Sequence, residues 1–381
     1  MIPIDYAILR LIWWAFLGVL LIGFAVMDGF DLGAALLQPF VARTDIEKRM
    51  LLNSIGPVWE GNQVWFILGG GAIFAAWPPL YAVSFSGFYL AMFLVLAALI
   101  LRPVAFTFRS KLEAPGWRGV WDWAFFVSGI VPALVFGVAF GNLFLGVPFH
   151  FDDTLRVTYE GGLIGLLNPW ALLCGLVSVS MLAMHGGAWL AFKTEGPLAR
   201  RANSAASWAA VAVIVLFSLA GVWLARGIDG YVIQGTIDPA APSNPLNKNV
   251  VEAAGAWLSN YRTYPITSAA PILAYLGAAL TWLLLRAARP LSAFVASGFG
   301  VAGIVATAGL SLFPFLLPSS LDPRSSLTVW DASSSQTTLF IMLVATLIFL
   351  PIVILYTGWI FHVLRGPVTA EAIRRDEHAL Y

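Results

Sequence analysis

The sequence predicts an all-α polytopic membrane protein, and three observations carry that prediction. Sixty per cent of its 381 residues are hydrophobic and 11% are charged, with a mean hydropathy of +0.84, which no soluble domain of this size sustains on its surface. Uncharged runs recur along the whole chain, and a bilayer crossing needs about 20 largely apolar residues. The basic residues gather in alternate connections, as they do where Lys and Arg are retained on the cytoplasmic side.

Nine transmembrane helices are expected, near residues 8–36, 58–77, 80–101, 122–146, 162–190, 203–226, 264–286, 291–316 and 336–363. The first contains the uncharged run LIWWAFLGVLLIGFAVM (11–27) and closes in GFAVMDGFDLG (23–33), where Asp28 and Asp31 interrupt the apolar pattern. Residues 61–100 carry no charge and are too many for one crossing, and Trp77, Pro78 and Pro79 break the run. Adjacent prolines remove helix donors and disfavour helix just before them, so a tight turn there joins the second and third helices. The uncharged stretches 123–149, 161–184, 202–225, 263–285, 290–321 and 332–361 each supply one further crossing.

An outer-face loop at 226–263 is the longest polar connection and too short for an independent core. It holds GIDGY (227–231), SNPLNK (243–248) and EAAGAWLSNY (252–261). Turn residues dominate its first half, and its second half can form a short amphipathic interfacial helix. A second outer segment, 316–338, is rich in Ser, Thr and Pro; Trp330 and Asp331 are either anchors or part of a solvated turn. Residues 1–381 therefore read as a single integral membrane domain without a soluble module.

Nine crossings put the termini on opposite sides. Fifteen of the 21 basic residues then fall on one side, and six, Arg10, Arg156, Arg226, Lys248, Arg262 and Arg324, on the other. The N-terminus is expected outside and the C-terminus in the cytoplasm. Residues 1–27 lack a basic leading region and an A-x-A site, so the first helix is expected to be retained. Cys174, the single cysteine, lies in an apolar helix, where a thiol behaves as a small hydrophobe and forms neither disulfide nor thiolate metal site. The net charge of +1 gives no indication of nucleic acid. Most of the sixteen tryptophans, among them Trp13, Trp14, Trp117, Trp121, Trp123 and Trp359, sit near segment ends, where indoles form interfacial belts.

Ionisable groups inside a membrane are costly and mark a functional site or a buried pair. Asp28 and Asp31 share a helix face, since positions i and i+3 are neighbours. WEGNQVW (59–65) opens the second helix with Glu60, Asn62 and Gln63, flanked by Trp59 and Trp65. The third helix ends at Arg102 before Pro103, and the fourth begins at WDW (121–123) with Asp122. Four consecutive helices thus bring charge to the cytoplasmic end, where short antiparallel connections let the groups converge. Excess carboxylate favours proton or cation uptake. The blander alternative is that Arg102 neutralises Asp31 or Glu60 and that Asp122 caps its helix near water. The four histidines are His150, His185, His362 and His378, and no two face each other at mid-membrane, so a bis-histidine haem is poorly supported. His185 beside Met184 reads as packing or a snorkelling polar residue. Neither CxxCH, a P-loop nor a dinucleotide fingerprint occurs.

The motifs IGFAVMDGFDLG, NSIGPVWEGNQVW, AAWPPLYAVSFSGFY, LRPVAFTFRSK, WDW, GVAFGNLFLGVPF, GIDGY, SNPLNK, FPFLLPSS and SLTVWDASSSQ together resemble subunit II of the cytochrome bd-type quinol oxidases, a group that includes the cyanide-insensitive terminal oxidases. The resemblance runs from the first helix to the tail with order and spacing kept. It implies a bacterial inner-membrane complex that takes electrons from quinol and reduces O2 to water. It further implies nine helices arranged as two four-helix bundles plus one peripheral helix. Subunit I would carry two haems b and one haem d, this chain ligating none and binding no metal. A structural quinone in this subunit, and one or two small single-helix accessory subunits, are also family features, with membrane lipid around the whole. The family's water-filled proton route from the cytoplasm falls by motif match on Asp31 and Glu60, with Arg102 and Asp122 lining the same region and Asp28 beside them. One departure stands out: the family's WDGNQ aspartate is Glu60 here, which keeps the carboxylate and lengthens its reach by one methylene. Two other functions compete with proton uptake: a purely structural partner subunit, and a proton- or cation-coupled transporter, although transporters often show inverted repeats that are not evident here.

Overall fold

The computed structural model describes residues 2–375; His378 lies outside them. The chain is mostly helical. Helix α1 (Tyr6–Val41) begins where the Asp5 carboxylate accepts from the Ala7 N–H and runs on through Pro39. Helix α2 (Asp45–Ile55) follows, held by a capping box in which Thr44 and Glu47 satisfy each other's backbone N–H groups. Next come α3 (Trp59–Ala76), α4 (Pro78–Gly87), α5 (Tyr89–Phe108) and α6 (Pro115–Leu145). The expected third helix, 80–101, is thus divided at Phe88 and extends one and a half turns past Pro103, because a proline within a helix removes one donor without always ending it.

A hairpin of β1 (Phe149–Phe151) and β2 (Val157–Tyr159) and a short α7 (Leu163–Leu166) lead into α8 (Pro169–Lys193) and α9 (Gly196–Gly227). The segment expected as the outer-face loop holds a second antiparallel hairpin, β3 (Asp229–Gln234) with β4 (Asn249–Ala254), and then α10 (Ser259–Thr263). After α11 (Ala269–Arg286) and α12 (Pro290–Leu312), β5 (Phe315–Leu317) pairs with β6 (Leu327–Thr328), and α13 (Gln336–Val363) and α14 (Ala370–Arg375) close the described chain.

Among the described residues, eight helical segments are long and apolar enough to cross a membrane. Helix α3 is a ninth helix of 18 residues, but Glu60, Asn62 and Gln63 in its first two turns keep it below the apolar content of the others. Helix α1 packs on α3, α6, α8 and α12; α5 packs on α6. Helices α8, α9, α11 and α12 form a second closed set of neighbours, and α13 touches α1 and α3. Small residues permit this closeness, as they do wherever helices associate without a hydrophobic drive: a Cβ on Gly33 would overlap the Leu182 carbonyl oxygen, and one on Gly277 would overlap the Gly300 backbone.

The two ends of α1 meet different chemistry. At its N-terminal end, the buried Arg10 donates to Ser333 Oγ at 2.7 Å and to the carbonyl oxygens of Pro239 at 2.5 Å and Ala241 at 3.0 Å. Nearby the buried Lys248 ammonium pairs with Asp331 at 2.8 Å, so Asp331 is an anchor between two connecting segments. At its C-terminal end lie α2 and the acidic residues.

Candidate functional site

Four helices supply the polar groups at the C-terminal end of α1. Asp28 and Asp31 of α1 and Arg102 of α5 are fully buried, and Asn62 of α3 is nearly so. Arg102 grips Asp28 through two guanidinium nitrogens, Nη1 to Oδ1 at 2.5 Å and Nη2 to Oδ2 at 3.4 Å. Arg102 is therefore the direct partner of Asp28, rather than of Asp31 or Glu60. Asp31 Oδ2 accepts from Asn62 Nδ2 at 2.8 Å, whereas Asp31 Oδ1 is buried with no hydrogen-bond partner among the described residues.

Asp122 of α6 forms the outer part of the site. Its Oδ1 accepts from Arg109 Nε at 2.6 Å and from Gln38 Nε2 at 2.8 Å, and its Oδ2 pairs with Lys48 Nζ at 2.8 Å. Arg109 continues to Asp45 at 2.9 Å, which Arg118 also reaches at 3.0 Å. The blander expectation that Asp122 merely caps its helix is not what the fold does: α6 begins two turns earlier, at Pro115.

Sequence reasoning missed Gln38, Lys48 and Arg109 as partners of Asp122. A signal was present, since T-D-I-E at residues 44–47 is a capping-box pattern that starts a helix, and that helix swings Lys48 over the bundle end. Glu47 then accepts from the Arg43 and Thr44 N–H groups and pairs with Arg201 of α9 at 2.5 Å. Burial alone would raise the Glu47 carboxyl, but Arg201 and these N–H groups outweigh it and hold it below its ordinary range.

The remaining expected residues frame the cluster without entering it. Glu60 is exposed on the flank of α3, and Gln63 is half-buried. Trp59 is buried and stacks on Phe106, with ring centroids 5.7 Å apart. Trp65 fills the space left by Gly23, where a Cβ would overlap its ring. His185 is fully buried, its Nδ1 2.7 Å from Ser297 Oγ and its Nε2 2.9 Å from the Val26 carbonyl oxygen, so it ties α8 to α12 and α1.

A separate apolar cavity of about 430 Å³ lies among α1, α6, α8, α9, α11 and α12, lined by Phe24, Phe136, Trp170, Cys174, Met181 and Tyr261 among others. A polar rim is supplied by the Tyr261 and Ser311 hydroxyls, 2.8 Å apart.

A bundle of membrane-length helices with buried carboxylates collected at one end defines a polytopic membrane protein with an intramembrane acidic site. Its family is settled by comparison: the cytochrome bd terminal oxidase subunit II model matches residues 9–364, and the chain belongs to that family. It is 52% identical over 378 residues to the cytochrome bd-I ubiquinol oxidase subunit 2 of Escherichia coli K12, covering 99% of this chain and 100% of that one. It is also 32% identical over 358 residues to the cytochrome bd ubiquinol oxidase subunit 2 of Bacillus subtilis, covering 94% and 96%. Among solved structures, a chain of the bd oxidase from Geobacillus thermodenitrificans has the same fold, with a TM-score of 0.64 at 17% identity over 93% of this chain and 98% of that one.

Proposed function

We propose that this chain is the partner of a haem-bearing subunit I in a bacterial inner-membrane quinol:O2 oxidoreductase, and that it takes up protons for the reduction of O2 to water. Relatives named as ubiquinol oxidase subunits support the first part. The observation that carries the second is Asp31, a fully buried carboxylate with one oxygen free, at the end of the bundle that the basic loops mark as cytoplasmic. Each electron arriving at a buried centre has to be matched by a proton, and a carboxylate that can alternate between charged and neutral forms meets that need. The exposed Glu60, on the same helix as Asn62, would pass the proton to the neighbouring subunit.

The nine-helix layout counts α3, whose 18 residues span about 27 Å. With it, α1, α3, α5 and α6 form one four-helix bundle, α8, α9, α11 and α12 the other, and α13 the peripheral helix, an arrangement supported by which helices pack on which. The same count puts the termini on opposite sides, and the fifteen basic residues on one side against six on the other favour the N-terminus outside and the C-terminus in the cytoplasm.

The haems fit the partner better than this chain. His185 is the one buried histidine among the described residues, and both its ring nitrogens are engaged, which leaves no free lone pair for iron. A quinone fits the apolar cavity, whose size lies in the range of small-molecule sites; Phe24, Phe136 and Trp170 would hold the isoprenoid tail and the Tyr261 hydroxyl would meet a carbonyl. A structural role is favoured for Asp28 and Asp122, since both oxygens of each are engaged by cations or amide N–H groups. The test is Asp31→Asn and Glu60→Gln in the assembled oxidase, followed by oxygen consumption and charge displacement. Both are expected to fall; wild-type values in both variants would refute proton uptake through this chain.

A further inference from the structure

The three buried carboxylates differ in how many oxygens are already taken. Asp28 gives both to Arg102, and Asp122 gives both to Arg109, Gln38 and Lys48. To accept a proton, either must lose a charge-assisted bond. Among the described residues, Asp31 has no cation in direct contact, one neutral donor on Oδ2 and nothing on Oδ1. We infer that Asn62 is a positioning residue that makes Oδ1 of Asp31 the atom that takes up and releases the proton; the inference rests on the proton-uptake function proposed above.

The chemistry of the amide fixes the assignment. An ionised carboxylate only accepts, so the side of Asn62 that meets Asp31 is its NH2 group. Protonation at Oδ2 would turn the acceptor of the 2.8 Å bond into a hydroxyl oxygen, a poorer acceptor, and weaken it. Protonation at Oδ1 keeps that bond, because Oδ2 is then the carbonyl oxygen of a neutral carboxylic acid and still accepts from Asn62, more weakly than the carboxylate does. The O–H bond forms at Oδ1 with a proton from the aqueous phase, the carboxyl goes from charge −1 to neutral, and release breaks the same bond; no electron moves. Asn62 itself is pinned: it is 1% exposed, its backbone N–H bonds to the Val58 carbonyl oxygen at 3.0 Å, and it follows Trp59, which is stacked on Phe106. The side chain therefore holds Asp31 in one rotamer through both protonation states.

The experiment uses the intact oxidase with its partner subunit, read by infrared difference spectra of carboxylic-acid C=O stretching and by the rate of charge displacement on proton uptake. Asp31→Asn is measured first, to identify the Asp31 band by its loss. In Asn62→Leu that band is expected to shift and proton uptake to slow about tenfold, roughly the effect of one hydrogen bond to a charged group. Asn62→Ser keeps a donor and is expected to restore most of the band position, and it decides the matter if the leucine variant fails to assemble. An unmoved band and an unchanged rate, with Asp31→Asn slow, would overturn the role of Asn62 and leave proton uptake standing. A fast Asp31→Asn variant would overturn both.

Discussion

Replacing Asp28 by leucine removes one half of an ion pair whose partner, Arg102, is equally buried, with no exposed surface on either side chain. At an effective dielectric of about 20, unit charges about 4 Å apart attract by about 4 kcal/mol. Breaking a buried pair from one side costs a similar amount, about 3–5 kcal/mol, chiefly because an unpaired charge is left behind. Arg102 Nε makes no compensating hydrogen bond, since it has no partner among the described residues. The expected outcome for Asp28→Leu is therefore a folded-to-unfolded ratio lowered about a thousandfold, at about 1.4 kcal/mol per decade. Arg102→Met should cost as much, and the double variant Asp28→Leu/Arg102→Met should return to within about 1 kcal/mol of the wild type, because apolar replacement of a whole buried pair is often neutral. Denaturant unfolding of the purified complex in detergent, run as a double-mutant cycle, measures all three. Single variants costing less than about 1 kcal/mol, or a double variant whose cost is the sum of the singles, would refute the reasoning.

Three further outcomes are expected. Gly33→Ala would press a methyl group into the Leu182 carbonyl and force α1 from α8; overpacking of this kind costs about 1–3 kcal/mol, visible as lower assembly yield and thermal stability, while Gly18→Ala, which meets nothing, serves as the control. Glu47 is held below its ordinary carboxyl range in the folded chain by Arg201 and two backbone N–H groups, against the opposing effect of burial; its contribution is present at neutral pH and lost as pH falls through the folded value. Glu47→Gln should therefore lower thermal stability at pH 7, with the difference from wild type shrinking as pH falls below the ordinary Glu value and vanishing below the lowered folded value. Ala308→Phe would place a ring in the apolar cavity and should reduce the quinone that co-purifies with the complex, measured by extraction and absorbance; unchanged quinone content would remove this cavity as its site.

Composition and periodicity determined a good deal by themselves. Long uncharged runs specify membrane helices because hydrocarbon offers backbone groups no partner outside the helix. That Arg102 would reach the acidic face of α1 was expected from short antiparallel connections, whereas Asp122 is held in a separate set with Gln38, Lys48 and Arg109. Which aspartate of α1 Arg102 pairs with was not legible. Whether Arg102 meets Asp28 or Asp31 depends on the rotation of α5 against α1, set by packing across several helices, and three residues along one helix turn separate the two answers. Glu60 and Asn62 show the same limit: they are two positions apart, yet one is exposed and the other buried against Asp31, because the polar residues 60, 62 and 63 point to different sides of α3 and the sequence pattern does not say which side faces α1. Tertiary structure alone decided that Asp31 keeps a free oxygen, since that depends on which donors reach it, and donors arrive from other helices.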